Sequence, residues 1–267
     1  MTRIGRLFER LKRENRKGLI AYLTAGDPSL DCTPALVEAM VRGGADLIEL
    51  GVPFSDPVAD GPVIQRAGER ALAAGATLAG VLETAGMIRE RCETPLLLFT
   101  YLNPVMRYGV SRLAGDAACR GIDGCLLTDV SVEEAHGYVE AMRAHNLDTV
   151  FLAAPTSTPR RLELVARYST GFAYLVSRTG VTGERDSLSP AAAPLVEAMR
   201  GITDLPLAVG FGISTPEQVA EAGRLADAVV VGSAFVRLIE RNRGNPSLEI
   251  QLEAFTRELK RGLGARS

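Results

Sequence analysis

Eight short apolar runs punctuate the chain, at residues 19–24, 47–50, 96–100, 124–127, 149–153, 172–176, 207–209 and 228–231. Each is nearly continuous in hydrophobic residues rather than alternating, the pattern of parallel strands covered on both faces. The longer stretches between them carry helical period. Pro34-Ala-Leu-Val-Glu-Ala-Met-Val-Arg42 gathers its apolar side chains on one face and runs into Gly43-Gly44, a C-terminal stop signal. Ser214-Thr215 ahead of Pro216 reads as a helix start. Strand and helix alternating eight times in 267 residues predict an α/β fold, a (β/α)8 TIM barrel forming a single domain over residues 1–267. Residues 1–17 are expected to form an extra N-terminal helix, basic and amphipathic, and a polar loop at 241–246 precedes a last helix near 248–263.

In such a barrel the chemistry sits just after the strands, at their C-terminal ends. Glu49 interrupts the second run between Ile48 and Leu50. Alternation places it on the face opposite those two. If that face is the interior, desolvation raises its pKa and suits it to acid–base work; if it faces outward, it pairs with an arginine on a flanking helix. The loop that follows carries Asp56 and Asp60. A second carboxylate near Glu49 would allow one group to move a proton while the other stays ionised, although Asp-Pro and Asp-Gly are also ordinary turn chemistry.

Glycines mark the other side of the barrel mouth. Gly210-Phe-Gly-Ile-Ser-Thr215 follows the seventh run and Gly232-Ser-Ala-Phe235 the eighth. Backbone amides there, with a helix starting at Ser233, fit a phosphate held mainly by main chain. After the sixth run, residues 177–190 read as a long polar lid, in which Gly183 can add an amide to the phosphate and Thr182 can reach a carboxylate across the mouth. Tyr174 shares the face of Phe172 and can bring its hydroxyl toward Glu49, or simply fill the barrel.

Composition narrows the chemistry. The net charge of −2 offers no basic field for nucleic acid or an anionic membrane. No apolar run approaches the roughly 18 residues of a membrane span, and the first residues lack the apolar core of a secretion signal, so a cytoplasmic enzyme is expected. Cys32, Cys92, Cys119 and Cys125 form no C-x-x-C pair and read as free thiols. The only lysines are Lys12, Lys17 and Lys260, and the only histidines, His136 and His145, fall on one surface helix. A Schiff-base lysine, a histidine base and a histidine-bound metal are therefore not expected; no metal site is predicted. No G-x-G-x-x-G or Walker A pattern occurs.

Glu49-Leu-Gly-Val-Pro-Phe-Ser-Asp-Pro-Val-Ala-Asp-Gly-Pro-Val-Ile-Gln65 resembles the signature of tryptophan synthase alpha subunits. Ala21-Tyr-Leu-Thr-Ala-Gly-Asp-Pro28, Tyr101-Leu-Asn-Pro104, Tyr174-Leu-Val-Ser-Arg-Thr-Gly-Val-Thr-Gly183 and Gly210-Phe-Gly-Ile213 extend the resemblance over nearly the whole chain. It implies cleavage of indole-3-glycerol phosphate to indole and glyceraldehyde 3-phosphate, with no cofactor in this subunit. By the same resemblance Glu49 would protonate indole C3, and Asp60 would bind the indole N–H. Tyr174, Thr182 and Phe211 would contact substrate, Thr182 pairing with Asp60 on closure, and Gly183, Gly212, Gly232 and Ser233 would hold the phosphate.

The resemblance further implies a pyridoxal-phosphate beta subunit as partner in an alpha2beta2 heterotetramer, faced by residues 53–60, Asn103, Pro104 and Asp129. Thr128 and Ser131 depart from the family's prolines on that side. Phe172 stands where tyrosine is common, which would remove one hydroxyl from the pocket. Other readings remain: a stand-alone lyase that releases indole, a non-catalytic subunit that activates its partner, and a different sugar-phosphate isomerase on the same scaffold.

Overall fold

The computed structural model describes residues 1–176, 191–210 and 212–264. Helix α1 (Arg3–Arg13) leads to strand β1 (Gly18–Thr24), α2 (Thr33–Gly43) and β2 (Leu47–Gly51). Helices α3 (Pro62–Ala73) and α4 (Leu78–Arg89) separate β2 from β3 (Leu96–Thr100), and α5 (Leu102–Tyr108) and α6 (Val110–Cys119) separate β3 from β4 (Gly124–Leu127). A 3₁₀ turn and α7 (His136–Ala144) lead to β5 (Asp148–Val150) and β6 (Leu152–Ala153). Then follow α8 (Pro159–Tyr168), β7 (Ala173–Val176), α9 (Ala192–Arg200), β8 (Leu207–Gly210), α10 (Pro216–Leu225), β9 (Ala228–Val231), α11 (Ser233–Arg241) and α12 (Leu248–Gly264).

Every pairing is parallel, in the order β5-β4-β3-β2-β1-β9-β8-β7-β6. The fifth apolar run does not form one strand. Phe151 turns into the outer core, its ring 6.3 Å from those of both Tyr138 and Tyr168. That leaves β5 to pair with β4 and β6 with β7. Bonds from Thr170 N–H to Thr149 O (2.7 Å) and from Tyr174 N–H to Phe151 O (3.2 Å) close the ring. Among the described residues the eight sequence runs thus make nine strands of a (β/α)8 TIM barrel.

Two apolar shells follow from period-two alternation. Ile48, Leu50, Leu96, Leu98 and Val229 face the helices, whereas Ile20, Leu47, Leu97, Leu126 and Val230 face inward. Helix α1 spans less than the expected 17 residues and plugs the lower end of the barrel. Thr2 caps it, accepting from Gly5 N–H at 3.1 Å. Its Ile4, Leu7, Phe8 and Leu11 join the inward cluster, each burial contributing roughly 1.5–3 kcal/mol. Phe172 belongs here too: its ring lies 5.6 Å from that of Phe8 and it does not border the cavity described below. The expectation of a hydroxyl lost from the pocket is corrected accordingly, since this position is packed against the plug.

The helix signals hold where capping chemistry sets them. Gly44, at φ +108°, ends α2 in a left-handed cap. Thr215 and Gln218 form a capping box at the start of α10. The four cysteines are free thiols. No single helix among the described residues is long and apolar enough to cross a membrane.

Candidate functional site

Glu49 points into the barrel. Ile48 and Leu50 lie in the outer shell, so alternation sends Glu49 inward with Leu47. It stands in register with Tyr22 on β1 and Leu97 on β3. The residue is 1% exposed, and its Oε1 has no hydrogen-bond partner among the described residues. Burial pushes its carboxyl up to about 8, so it carries a proton at neutral pH. A buried, protonated acid with an oxygen unpartnered among the described residues is poorly explained by stability, which favours buried polar atoms with partners. It is well suited to giving a proton to a bound ligand.

Asp60 reaches the same chamber from the loop between β2 and α3. Its backbone is fixed on both sides, N–H to Pro57 O at 3.0 Å and O from Gln65 Nε2 at 2.8 Å. Burial pushes its carboxyl up to about 6, opposed by a hydrogen bond from the Tyr101 hydroxyl. The same hydroxyl accepts from Ala59 N–H at 3.2 Å. At pH 7 the two carboxyls therefore differ in charge: Glu49 is mainly neutral and Asp60 mainly ionised. Asp56 is exposed and accepts from Ser55 Oγ at 2.5 Å, the turn role its Asp-Pro context suggests.

Both carboxyls line a cavity bordered also by Tyr22, Phe99, Tyr174, Gly212, Gly232 and Ser233. Gly212 has φ +81°, a backbone setting that favours glycine. Gly232 caps α11. Phe235 N–H already bonds back to Gly232 O at 2.9 Å, so the amides ahead of it, on Ser233 and Ala234, are those a helix leaves for a ligand. The chamber thus has an acidic end and an amide-lined end. Roomier clefts flank α1 at the opposite face of the barrel, but their buried carboxylates are already engaged, Asp123 by Arg3 and Arg89 and Asp148 by Thr2. Among the described residues no grouping of His, Cys, Asp and Glu has the arrangement to hold a metal ion.

Of the residues singled out from sequence, Glu49, Asp60, Tyr174, Gly212, Gly232 and Ser233 meet at this cavity. Thr182, Gly183 and Phe211, and the expected lid, lie outside the described residues. Tyr22, Ile64, Phe99 and Ile213 also line the chamber, and the Tyr101 hydroxyl favours the ionised Asp60 carboxyl; none of these had been given a role. Parity would have found two of them, since Tyr22 follows Ile20 and Phe99 follows Leu97 on the inward face. Room for two of the aromatic side chains comes from glycines: a Cβ on Gly51 would collide with the Tyr22 hydroxyl, and one on Gly210 with that of Tyr174.

The segments expected to face a partner are stitched together. Ala59 bonds Tyr101, and Leu102 N–H donates to Asp129 Oδ1 at 2.6 Å. Thr128 donates its N–H to Thr100 O at 2.9 Å, a bond proline cannot make. Val58 and Met106 are large apolar side chains left exposed on these segments.

Comparison with known proteins shows the family and the fold. Residues 8–263 match the family described as tryptophan synthase alpha chain. The tryptophan synthase alpha chain of Solibacter usitatus is 77% identical over 267 residues, all of both chains. That of Geobacter sulfurreducens is 48% identical, covering 90% of this chain and 91% of its own. A solved structure of Mycobacterium tuberculosis tryptophan synthase aligns with a TM-score of 0.92 at 38% identity, over 99% of both chains. The alpha subunit from Legionella pneumophila aligns at 0.89 with 36% identity, again over 99% of both.

Proposed function

The chain belongs to the tryptophan synthase alpha-chain family, and from that premise we propose how its residues carry out the family's reaction. The protein is a carbon–carbon lyase that cleaves indole-3-glycerol phosphate to indole and glyceraldehyde 3-phosphate in tryptophan biosynthesis. The observation that carries the assignment of roles is the buried Glu49 carboxyl, without a partner at Oε1 among the described residues, in a cavity shared with Asp60, Gly212, Gly232 and Ser233.

Protonated Glu49 gives its proton to indole C3. The ring becomes cationic, and its N–H donates to the Asp60 carboxylate, which stays ionised beside it. The bond from C3 to the glycerol chain then breaks, its electron pair restoring the aromatic ring. The chain's hydroxyl becomes a carbonyl and returns its proton to Glu49, so no net acid is consumed. Tyr174 and Phe211 hold the substrate. The amides of Gly183, Gly212, Gly232 and Ser233 hold the phosphate, and Thr182 pairs with Asp60 over the closed site. One barrel, residues 1–267, does this in the cytoplasm without a cofactor of its own.

The partner is a tryptophan synthase beta subunit carrying pyridoxal phosphate, in an alpha2beta2 heterotetramer. Residues 53–60, Asn103, Pro104 and Asp129 form the docking rim, with exposed Val58 and Met106 supplying apolar contact. Assaying the purified chain with indole-3-glycerol phosphate, alone and after adding a beta subunit, tests this. A rise of about 5- to 150-fold on mixing is expected, the range of ordinary intersubunit coupling. Full turnover alone with no rise indicates a stand-alone lyase, and no cleavage in either condition refutes the reading.

The carboxyl values set the pH profile. Glu49 must hold its proton, so kcat/KM falls as pH rises through about 8. Asp60 must be ionised, so kcat/KM falls as pH drops through about 6. A bell with these limbs is expected, and the Asp60→Asn variant should lack the acid limb at its lower plateau. A profile flat from pH 6.5 to 9 would contradict the Glu49 assignment.

A further inference from the structure

Arg70 ties together three separate pieces of the barrel's upper rim. Its Nε and Nη2 grip both oxygens of Asp27, at 2.9 and 2.6 Å. Asp27 is 1% exposed and lies three residues past the end of β1. The remaining arm, Nη1, donates to Glu240 Oε1 on α11 at 2.9 Å. Arg66, one turn earlier on α3, forks onto the same Glu240 at 2.8 and 3.0 Å. None of these four side chains borders the cavity.

The helices so joined carry opposite ends of the site. Helix α3 starts at Pro62, two residues after Asp60, and α11 starts at Ser233. At 1.5 Å per residue, Arg70 lies about 12 Å along α3 and Glu240 about 10 Å along α11 from those ends. Between the clamp and the ends, Ile64 and Ala67 of α3 meet Val236 of α11 over Tyr22. Such apolar contacts favour burial but resist sliding weakly, because they are not directional. A bidentate arginine–carboxylate pair has directional, planar geometry. We propose that Arg70, through Asp27 and Glu240, is a positioning residue that fixes the spacing between the Asp60 end and the phosphate-binding amides of the site. The proposal rests on the ligand roles given above.

Its consequence is selective. A ligand that fills one end does not sense the spacing, whereas the whole substrate must fit both at once. Misplacement by about 1 Å can cost on the order of 100-fold in rate. The experiment uses the full chain and the Arg70→Met variant, which keeps the apolar stem and removes the fork. Binding of glycerol 3-phosphate and of indole is measured separately, and kcat/KM with indole-3-glycerol phosphate. We expect each fragment to bind within about twofold of wild type while kcat/KM falls about 30-fold or more. Glu240→Gln, at a partly exposed position, should show the same split with a smaller loss, and serves alone if Arg70→Met does not fold. Fragment affinities that fall in the same proportion as kcat/KM would mean general loosening and overturn the proposal, as would unchanged kcat/KM. Absence of cleavage by the wild-type chain and its beta complex would instead refute the proposed function itself.

Discussion

Glu49→Gln is expected to lower kcat for indole-3-glycerol phosphate cleavage by about 10³-fold or more, with glycerol 3-phosphate binding unchanged within about twofold. Glutamine copies the shape and neutrality of the protonated acid but cannot deliver its proton. Neither the chamber's volume nor its charge at pH 7 changes, so the loss isolates proton transfer. Stability supplies an independent check. The native carboxyl keeps its proton up to about 8, whereas in the unfolded chain it ionises near its ordinary value of 4.5. Between those values the native state binds more protons than the unfolded one, so wild-type stability falls as pH rises from 4.5 to 8. Glutamine does not titrate. The stability of Glu49→Gln relative to wild type should therefore rise across this window, by up to about 4 kcal/mol. Denaturant midpoints at pH 5 and pH 8 measure it. Near-normal turnover would remove Glu49 from the chemistry, and a pH-independent stability difference would contradict its desolvation.

The succession of strands, the placing of Glu49 on the face opposite Ile48 and Leu50, and the glycines gathered at the barrel mouth were readable because each depends on local rules. Continuous apolar runs identify buried parallel strands, parity sets Glu49 against its neighbours while the fold decides which face is the interior, and the glycines after β8 and β9 border the same cavity. Other features depend on contacts between distant segments. The break of the fifth run at Phe151 reflects aromatic packing against Tyr138 and Tyr168, which no single run encodes. Phe172 has the same parity as Tyr174, yet one packs on the plug helix and the other borders the cavity, because depth along the barrel axis separates them. The hydrogen bond from Ala59 N–H to the Tyr101 hydroxyl joins loops 42 positions apart in the sequence. Arg70 is similar: as an isolated arginine on an amphipathic helix it reads as a solvated charge, and only the fold brings Asp27 and Glu240 to it.

Gly232→Asp should raise KM for indole-3-glycerol phosphate by about 100-fold or more while leaving the fold intact, because the property proposed to attract phosphate here also welcomes the new side chain. Gly232 caps α11 at φ −121°, outside the left-handed region, and a Cβ placed on it would meet Tyr22 Cβ at an ordinary 3.6 Å. Aspartate is among the preferred N-cap residues and satisfies helix amides with its own carboxylate. The substituted side chain therefore competes for the amides of Ser233 and its neighbours and sets a negative charge against the incoming dianion. Two unit charges about 4 Å apart repel by roughly 4 kcal/mol at an effective dielectric of 20, more than the ~2.8 kcal/mol that a 100-fold change in affinity requires. Gly232→Ala separates charge from bulk and should shift KM by less than about tenfold. Thermal unfolding of Gly232→Asp within a few degrees of wild type, together with lost affinity for glycerol 3-phosphate, would place the phosphate at the start of α11. An unchanged KM would move the anion elsewhere, since no phosphate can share these amides with a fixed carboxylate.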